Sequence, residues 1–361
     1  MKLILTITRY IVGLLFIFSG LVKANDPLGL SYKMQEFFEV WGLHQLNDFT
    51  LAFSVLMIAF EIIAGVAVII GWQMRLFSWL LLLLIIFFTF LTGYALFSGK
   101  IKTCGCFGDC IPLTADQSFI KDLLLLGLIL LLFVNRNRII TAMSTRNSII
   151  ALAVTTIFSF GLQWYVLNYL PIVDCLPYKK GARIEEQMKI PAGAIPDSTV
   201  ITFVYNKGGK EVEFTADQFP DDFDESVYSF VRRYDKLVRK GNAEPKIKDF
   251  VLLAPSGADT TSAIINQPGE MYWLFIQALN ETDKPAILEQ LITLKKDTEK
   301  TGKPVYVITS LAGEVEPLLA TVETPVLLLR CDAVAVKTAA RYPVTLYVLQ
   351  DGVVKKKRAV K

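Results

Sequence analysis

The sequence predicts an α-helical membrane bundle followed by an α/β soluble domain. Three observations predict it. The chain has 361 residues, of which 53% are hydrophobic, and its mean hydropathy of +0.45 is one that soluble domains rarely reach. The apolar excess lies almost wholly before residue 172, and charged residues become frequent after it. Five segments before that point approach the roughly 20 apolar residues a bilayer crossing needs. The lipid bilayer is therefore the first partner that composition implies. A net charge of +3 and the lack of a basic arm argue against nucleic acid.

The five expected spans are 3–22, 51–71, 76–97, 119–134 and 149–170. The fourth is short, with Asp122 near its start at the interface. The first is read as a retained span. Arg9 interrupts its apolar run, and Lys23 stands inside the cleavage-like Val22-Lys23-Ala24. Lys and Arg in short loops set orientation. Arg136, Arg138 and Arg146 follow the fourth span and Arg75 follows the second, whereas the 23–50 loop carries Asp26, Glu36, Glu39 and Asp48. The expected topology is multi-pass in a bacterial inner (cytoplasmic) membrane. The N-terminus is cytoplasmic, and the cysteine loop and everything after residue 170 are periplasmic.

Charges within spans are costly in hydrocarbon and find partners. Arg9 and Glu61 are the expected pair. They are weak candidates for a proton or quinone site, a helix-locking ion pair being the plainer alternative. The single histidine, His44, excludes HExxH and multi-histidine metal centres.

Cys104, Cys106 and Cys110 lie in the loop Cys104-Gly105-Cys106-Phe107-Gly108-Asp109-Cys110, and Cys175 follows the fifth span. Outside a membrane such cysteines form structural disulfides or a thiol–disulfide relay. A Cys104–Cys106 disulfide closes only a small, strained ring. Cys106 and Cys110, one helical turn apart, can pair without strain, leaving Cys104 to exchange with Cys175. Gly105 and Gly108 let the backbone turn tightly. Asp109 raises rather than lowers a neighbouring thiol pKa. A three-thiolate metal site is the third reading. It is set aside because an oxidising compartment competes with metal binding. Five cysteines leave at least one thiol unpaired in a monomer.

After the spans, a proline-containing tether runs over 172–196. A strand pair is expected at 199–205 and 211–215 around Asn206-Lys207-Gly208-Gly209. A helix is expected over 223–240, with Asp221, Asp222 and Asp224 favouring its N-terminus. From Pro245 the pattern alternates. Strands are expected at 250–253, 271–279, 304–308 and 325–329, helices at 284–301, 315–322 and 334–341, and a hairpin at 344–349 with 353–357. Alternation with a closing hairpin indicates a mixed sheet. The expected domains are thus 1–140, a four-span bundle; 141–171, a fifth span; 172–244, a tether with hairpin and helix; and 245–361, an α/β domain.

Two resemblances attach to these motifs. Arg9, Ser19-Gly20-Leu21-Val22-Lys23, Asp26-Pro27, Glu61-Ile62-Ile63-Ala64-Gly65, Gly71 and Arg75 resemble the DoxX family. Thr103-Cys104-Gly105-Cys106-Phe107-Gly108, with Lys121-Asp122-Leu123-Leu124, is similar to its MauE branch. This resemblance covers about 1–140 and implies a four-span bundle tied to redox maturation of periplasmic proteins. Nothing marks a methylamine-related partner, and the fifth span and soluble domain depart from the family.

In the soluble half, Pro245-Lys246-Ile247-Lys248-Asp249-Phe250, Pro255-Ser256-Gly257, Arg341-Tyr342-Pro343-Val344-Thr345-Leu346-Tyr347 and Asp351-Gly352 resemble a thioredoxin-like domain of the peroxiredoxin/TlpA type. The resemblance implies a cis-proline at Pro343 and a cysteine nucleophile after the 271–279 strand. The chain there reads Ala278-Leu279-Asn280-Glu281-Thr282-Asp283, without cysteine. Such a domain cannot run dithiol exchange alone. Cys331 is either a packing residue or a redox residue near Pro343, and the groove there suits an extended peptide.

Two functions follow. In one, Cys104, Cys106, Cys110 and Cys175 handle thiol–disulfide exchange or maturation of periplasmic or envelope proteins, the soluble domain presenting the partner. A quinone is the acceptor considered, and no motif supports it. In the other, the protein is a non-enzymatic scaffold with structural disulfides. The clustered loop cysteines favour the first and the absent CxxC the second. A transporter ranks third, since the spans lack paired Gly/Pro breaks.

Overall fold

The computed structural model describes residues 2–361 except 102–104, 106, 197, 221–222, 225, 240, 242 and 323–325. The membrane half comprises α1 (Lys2–Ala24), α2 (Pro27–Val40), α3 (Thr50–Ile70), α4 (Met74–Ser98), α5 (Ala115–Val134) and α6 (Thr145–Tyr169). Five of these, all but α2, are long and apolar enough to cross a membrane. The fourth span is not short. A capping box between Thr114 and Gln117 starts α5 at Ala115, giving 20 residues. Helix α2 was not expected. Asp26 caps it by accepting from the Gly29 amide at 3.1 Å, and Pro27 sits in its first turn.

Small residues let α1 and α3 approach closely. A Cβ on Gly13 would meet the Gly65 carbonyl oxygen at 2.7 Å, and a Cβ on Gly65 would meet that of Gly13 at the same distance. Around this crossing Val12, Phe16, Ala64 and Val68 pack with Leu81 and Ile85 of α4 and Ile129 of α5.

The expected Arg9–Glu61 pair does not form. Helices α1 and α3 run antiparallel, so Arg9 meets the C-terminal end of α3. There it donates from Nε to the Val68 carbonyl at 3.1 Å and from Nη2 to that of Ile69. Glu61 instead receives Lys23 Nζ at 2.6 Å and Ser19 Oγ at 3.1 Å. Lys23 stands fourteen residues beyond Arg9 on α1, about 21 Å along the axis. Asp122 pairs with Lys121 and accepts from Thr92 Oγ1 at 3.1 Å.

The soluble half comprises α7 (Ile184–Met188), β1 (Ser198–Lys207), β2 (Lys210–Thr215), β3 (Tyr228–Arg239), α8 (Thr261–Ile265), β4 (Glu270–Ile276), α9 (Lys284–Thr301), β5 (Val305–Thr309), α10 (Ala312–Ala320), β6 (Val326–Arg330), α11 (Ala333–Ala339), β7 (Val344–Gln350) and β8 (Val353–Ala359). Its main sheet has the order β6-β5-β4-β7-β8. Strands β4, β5 and β6 are parallel, whereas β7 runs against β4 and β8 against β7. Strand β4 is central and alternates between two cores. Met271, Trp273 and Phe275 pack with Phe250, Tyr347 and α11, and Leu274 and Ile276 pack with Ile287 and Leu291 of α9.

Three expectations need correction. The helix over 223–240 is the strand β3, antiparallel to β1, and with β2 it makes a separate three-stranded sheet. The aromatic spacing that looked helical is satisfied across strands. Tyr205 of β1 lies 5.1 Å from Phe223, 5.3 Å from Phe214 and 5.6 Å from Phe230 between ring centroids. The 250–253 segment makes only isolated bridges, from Leu253 to Asp259 and Arg330. The Tyr342–Pro343 peptide is trans.

The 172–196 tether is also partly built into the domain. Leu176, Tyr178 and Ile184 are buried, the latter two in the Trp273 core. Gly181 N donates to the Val354 carbonyl at 2.8 Å, and Ile184 N to that of Gly352 at 3.0 Å. The small sheet is thus an excursion from one folded body rather than part of a linker.

Replacing Gly65 by leucine is expected to pry α1 from α3, at about 1–3 kcal/mol for an overpacked site. Thermal unfolding of the full chain in detergent measures it, and an unchanged midpoint would show that the helices do not pack this closely.

Candidate thiol–disulfide site and the interface above it

The turn between α4 and α5 is built on glycine. Gly105 and Gly108 take positive φ of 66° and 58°, and Gly108 N donates to the Gly105 carbonyl at 3.0 Å. Phe107 holds the loop to the bundle, 5.8 Å from the Phe18 ring and 5.4 Å from Lys121 Nζ. Three residues later the chain reaches Cys110, which is disulfide-bonded to Cys175. The bond joins the α4–α5 loop to the segment just after α6. The expected Cys106–Cys110 pairing is therefore replaced by Cys110–Cys175. Cys104 and Cys106 lie outside the described residues, so the exchange expected of Cys104 falls there too.

Each cysteine of this disulfide follows an aspartate, and each aspartate meets a cation of the soluble domain. Asp109 accepts from Arg341 Nη2 at 2.7 Å, and Asp174 accepts from Lys357 Nζ at 2.9 Å. Arg341 also donates from Nε to Asp26 at 2.9 Å and from Nη1 to the Lys337 carbonyl at 2.9 Å. Its side chain is 4% exposed, and its guanidinium lies 5.3 Å from the Tyr32 ring centroid. Tyr32 accepts from Gln277 Nε2, and Gln277 N donates to the Pro343 carbonyl at 2.8 Å. The end of the main sheet where β4 stops and β7 starts therefore rests on the cysteine loop and the α1–α2 junction. A second seam joins Asn25 to the backbone of Val173 through two hydrogen bonds.

Electrostatics holds Arg341 in its charged form. Burial works against the charge, but Asp26 and then Asp109 outweigh it and raise the pKa. Burial also raises the Asp26 carboxyl, with Arg341 opposing and Asp109 adding to the rise. Lys357 is lowered, burial outweighing Asp174.

Below the loop, Lys23–Glu61 and Lys121–Asp122 border a cavity of about 20 Å³ whose roof includes Phe107. This is room for roughly one water. Of the two cofactor candidates, Glu61 lies in this cluster and Arg9 does not. Cys331 is a buried, free thiol among Tyr178, Phe250 and Leu329. Burial pushes it up to about 12, which disfavours the thiolate a nucleophile needs. Sequence reasoning missed Arg341, Lys357 and Tyr32 as site residues. The available signal was an aspartate directly before each of two cysteines, and an arginine in the run Ala339-Ala340-Arg341-Tyr342-Pro343.

Comparison with known proteins follows the same division. Residues 1–135, ending beside the last residue of α5, match the family model described as methylamine utilisation protein MauE. This is a multi-pass membrane protein whose residues 1–135 are similar to the MauE family. Residues 199–240, the β1–β3 sheet, match a domain of unknown function, DUF8463. The chain is similar to Protein TlpB of Flavobacterium psychrophilum, 30% identical over 136 residues that make up 35% of each chain. The chain thus spans about a third of that relative's length. No solved structure matches.

Arg341→Ala leaves the buried Asp26 carboxylate without its partner, a loss of roughly 3–5 kcal/mol, while the half-exposed Asp109 arm contributes little. The soluble domain is expected to detach from the loop and to be cut by protease between residues 172 and 196 faster than wild type. Equal cutting rates would show that the contact does not hold the domain. Alkylation at Cys331, read by peptide mapping, should stay near zero from pH 7 to 9 in folded protein. It should appear on denaturation, when the thiol titrates near 8.5. A pH-dependent rate in the folded state would contradict the burial.

Proposed function

We propose that the protein handles thiol–disulfide redox chemistry, or disulfide maturation of other proteins, at the outer face of a bacterial inner membrane. The observation that carries this is the Cys110–Cys175 disulfide beneath Arg341. It follows a turn with glycines at 105 and 108 and is flanked on both sides by contacts to the soluble domain, so a docked partner meets it at the domain boundary. The MauE match and the similarity to Protein TlpB support a redox association. Orientation is supported by the odd number of spans and by Arg75, Arg136 and Arg138, which cluster at the bundle end opposite the cysteine loop.

The chemistry is exchange. A partner thiolate attacks one sulfur of Cys110–Cys175 and forms a mixed disulfide, and the other sulfur leaves as a thiolate. The partner's second thiol then resolves the mixed disulfide. Two electrons and two protons pass to this chain, and the partner leaves oxidised. The soluble domain is read as a thioredoxin-like module. Its β6-β5-β4-β7-β8 order and flanking helices support that reading. Without a nucleophile after β4, it serves to present the partner.

The second reading is a scaffold. The disulfide ties the start of α5 to the end of α6, as a staple does, and this favours it. Thiol trapping with a maleimide mass tag in intact cells decides between them. A mixture of oxidised and reduced Cys110 and Cys175, with a Cys175→Ser variant trapping a mixed disulfide to another protein, is the expected result. Complete, stable oxidation with variants that lose only abundance would leave the scaffold.

A further inference from the structure

Two carboxylates seat the soluble domain on either side of the disulfide, and the bond itself is the short link between them. Asp109 and Asp174 stand directly before Cys110 and Cys175, and each is held by one cation of the domain. Those two cations share a rigid platform. Arg341 is tied to α11 through the Lys337 carbonyl. Lys357 lies on β8 opposite Tyr347 of β7, 5.3 Å from its ring centroid. The buried Tyr347 hydroxyl donates to the Ala339 carbonyl at 2.7 Å, which joins β7 to the end of α11. The spacing of the two cations is therefore set by the folded core of the domain.

The carboxylates have no such platform. Asp109 belongs to the α4–α5 loop and Asp174 to the segment after α6, and α6 packs chiefly on α3. The Cys110–Cys175 bond brings these two segments to a Cα separation of 4.9 Å. A socket ordered in advance loses less freedom when the domain docks than one that must be ordered on docking.

We infer that oxidation of Cys110–Cys175 and docking of the soluble domain are linked. The disulfide matches the spacing of Asp109 and Asp174 to that of Arg341 and Lys357, and the docked domain in turn favours the oxidised bond. Arg341 and Lys357 are then positioning residues for the disulfide, acting through the two aspartates. Reciprocity follows from linkage, because the factor by which oxidation strengthens docking is the factor by which docking strengthens the bond. The inference goes beyond the proposed function, since it holds for a relay and for a staple alike. Reduction loosens the domain rather than freeing it. Phe107 still packs near Phe18, Asn25 still binds Val173, and Asp26 still receives Arg341. The factor therefore belongs at the low end of the usual range, about five- to tenfold.

The sign separates this linkage from simple electrostatics. Removing a nearby cation disfavours a thiolate, which makes the bond harder to reduce. Loss of docking makes it easier to reduce.

The test equilibrates the full chain in detergent with dithiothreitol and its cyclic disulfide, and reads Cys110 and Cys175 by maleimide tagging and peptide mapping. A dithiothreitol thiolate attacks one sulfur, its second thiol resolves the mixed disulfide, and two electrons and two protons pass to the cysteines. In Lys357→Met and in Arg341→Gln the bond is expected to reduce about five- to tenfold more readily, a midpoint roughly 20–30 mV less negative. Lys303→Gln, which breaks a pair with Glu270 at the far end of β4, should leave it unchanged. In a second arm, protease cutting between residues 172 and 196 is compared in oxidised and reduced protein. Reduction should speed cutting in wild type and add less in Lys357→Met. A midpoint that stays put or turns more negative in both variants, or that moves equally in Lys303→Gln, overturns the linkage. A reduction effect on cutting as large in Lys357→Met as in wild type also overturns it, marking local loosening at Cys175 alone.

Discussion

The arrangement turns on one guanidinium. Arg341 spans the α1–α2 junction through Asp26 and the cysteine loop through Asp109, with the Tyr32 ring against its face. A planar fork with five donors suits this task, and an ammonium does not. Asp26 does two jobs with its two oxygens. One caps α2, and the other receives Arg341. The start of α2, the position of the loop and the seat of the soluble domain are therefore not independent. Buried ion pairs add little to net stability but are demanding in geometry, so this contact specifies where the domain sits more than how tightly.

The membrane half obeys a related constraint. Its charges are each matched inside the bundle at their own depth: Arg9 by the carbonyls ending α3, Glu61 by Lys23, and Asp122 by Lys121. The last two gather directly under the cysteine loop, although nothing in a four-helix bundle requires them there. Close approach of α1 and α3 at Gly13 and Gly65 brings Lys23 within reach of Glu61. Packing at one level thus positions chemistry at another.

What the sequence made legible was local. Apolar run lengths located the five spans, and the helix from Lys284 to Thr301 ends at Gly302 as its amphipathic pattern indicates. Asp351-Gly352 marks the closing hairpin, and glycine marks the turn before Cys110. The failures have two causes. At 223–240 the aromatic residues fit both a helical and a strand period, and pairing with β1 decided between them. The other misses are contacts between distant residues. Cys110 finds Cys175 across 65 positions, and Arg341 finds Asp109 across 232 and Asp26 across 315. No local propensity encodes such pairings. The Arg9–Glu61 expectation failed for the same reason, since it matched charges without the helix direction that sets their depth.

The order of these partners along the chain sets a sequence of events during synthesis. Cys110 and Cys175 are both made before any strand of the main sheet, and Arg341 comes 166 residues after Cys175. At typical translation speeds that is an interval of roughly 10–30 s. For that time, on the proposed orientation, the newly inserted bundle carries both cysteines with nothing docked above them. A disulfide formed in that interval precedes the domain, which then docks beside it through Asp109 and Asp174. The latch is the last piece to be fitted, so a nascent chain truncated before Arg341 would keep its disulfide but lack the contact that seats the domain beside it.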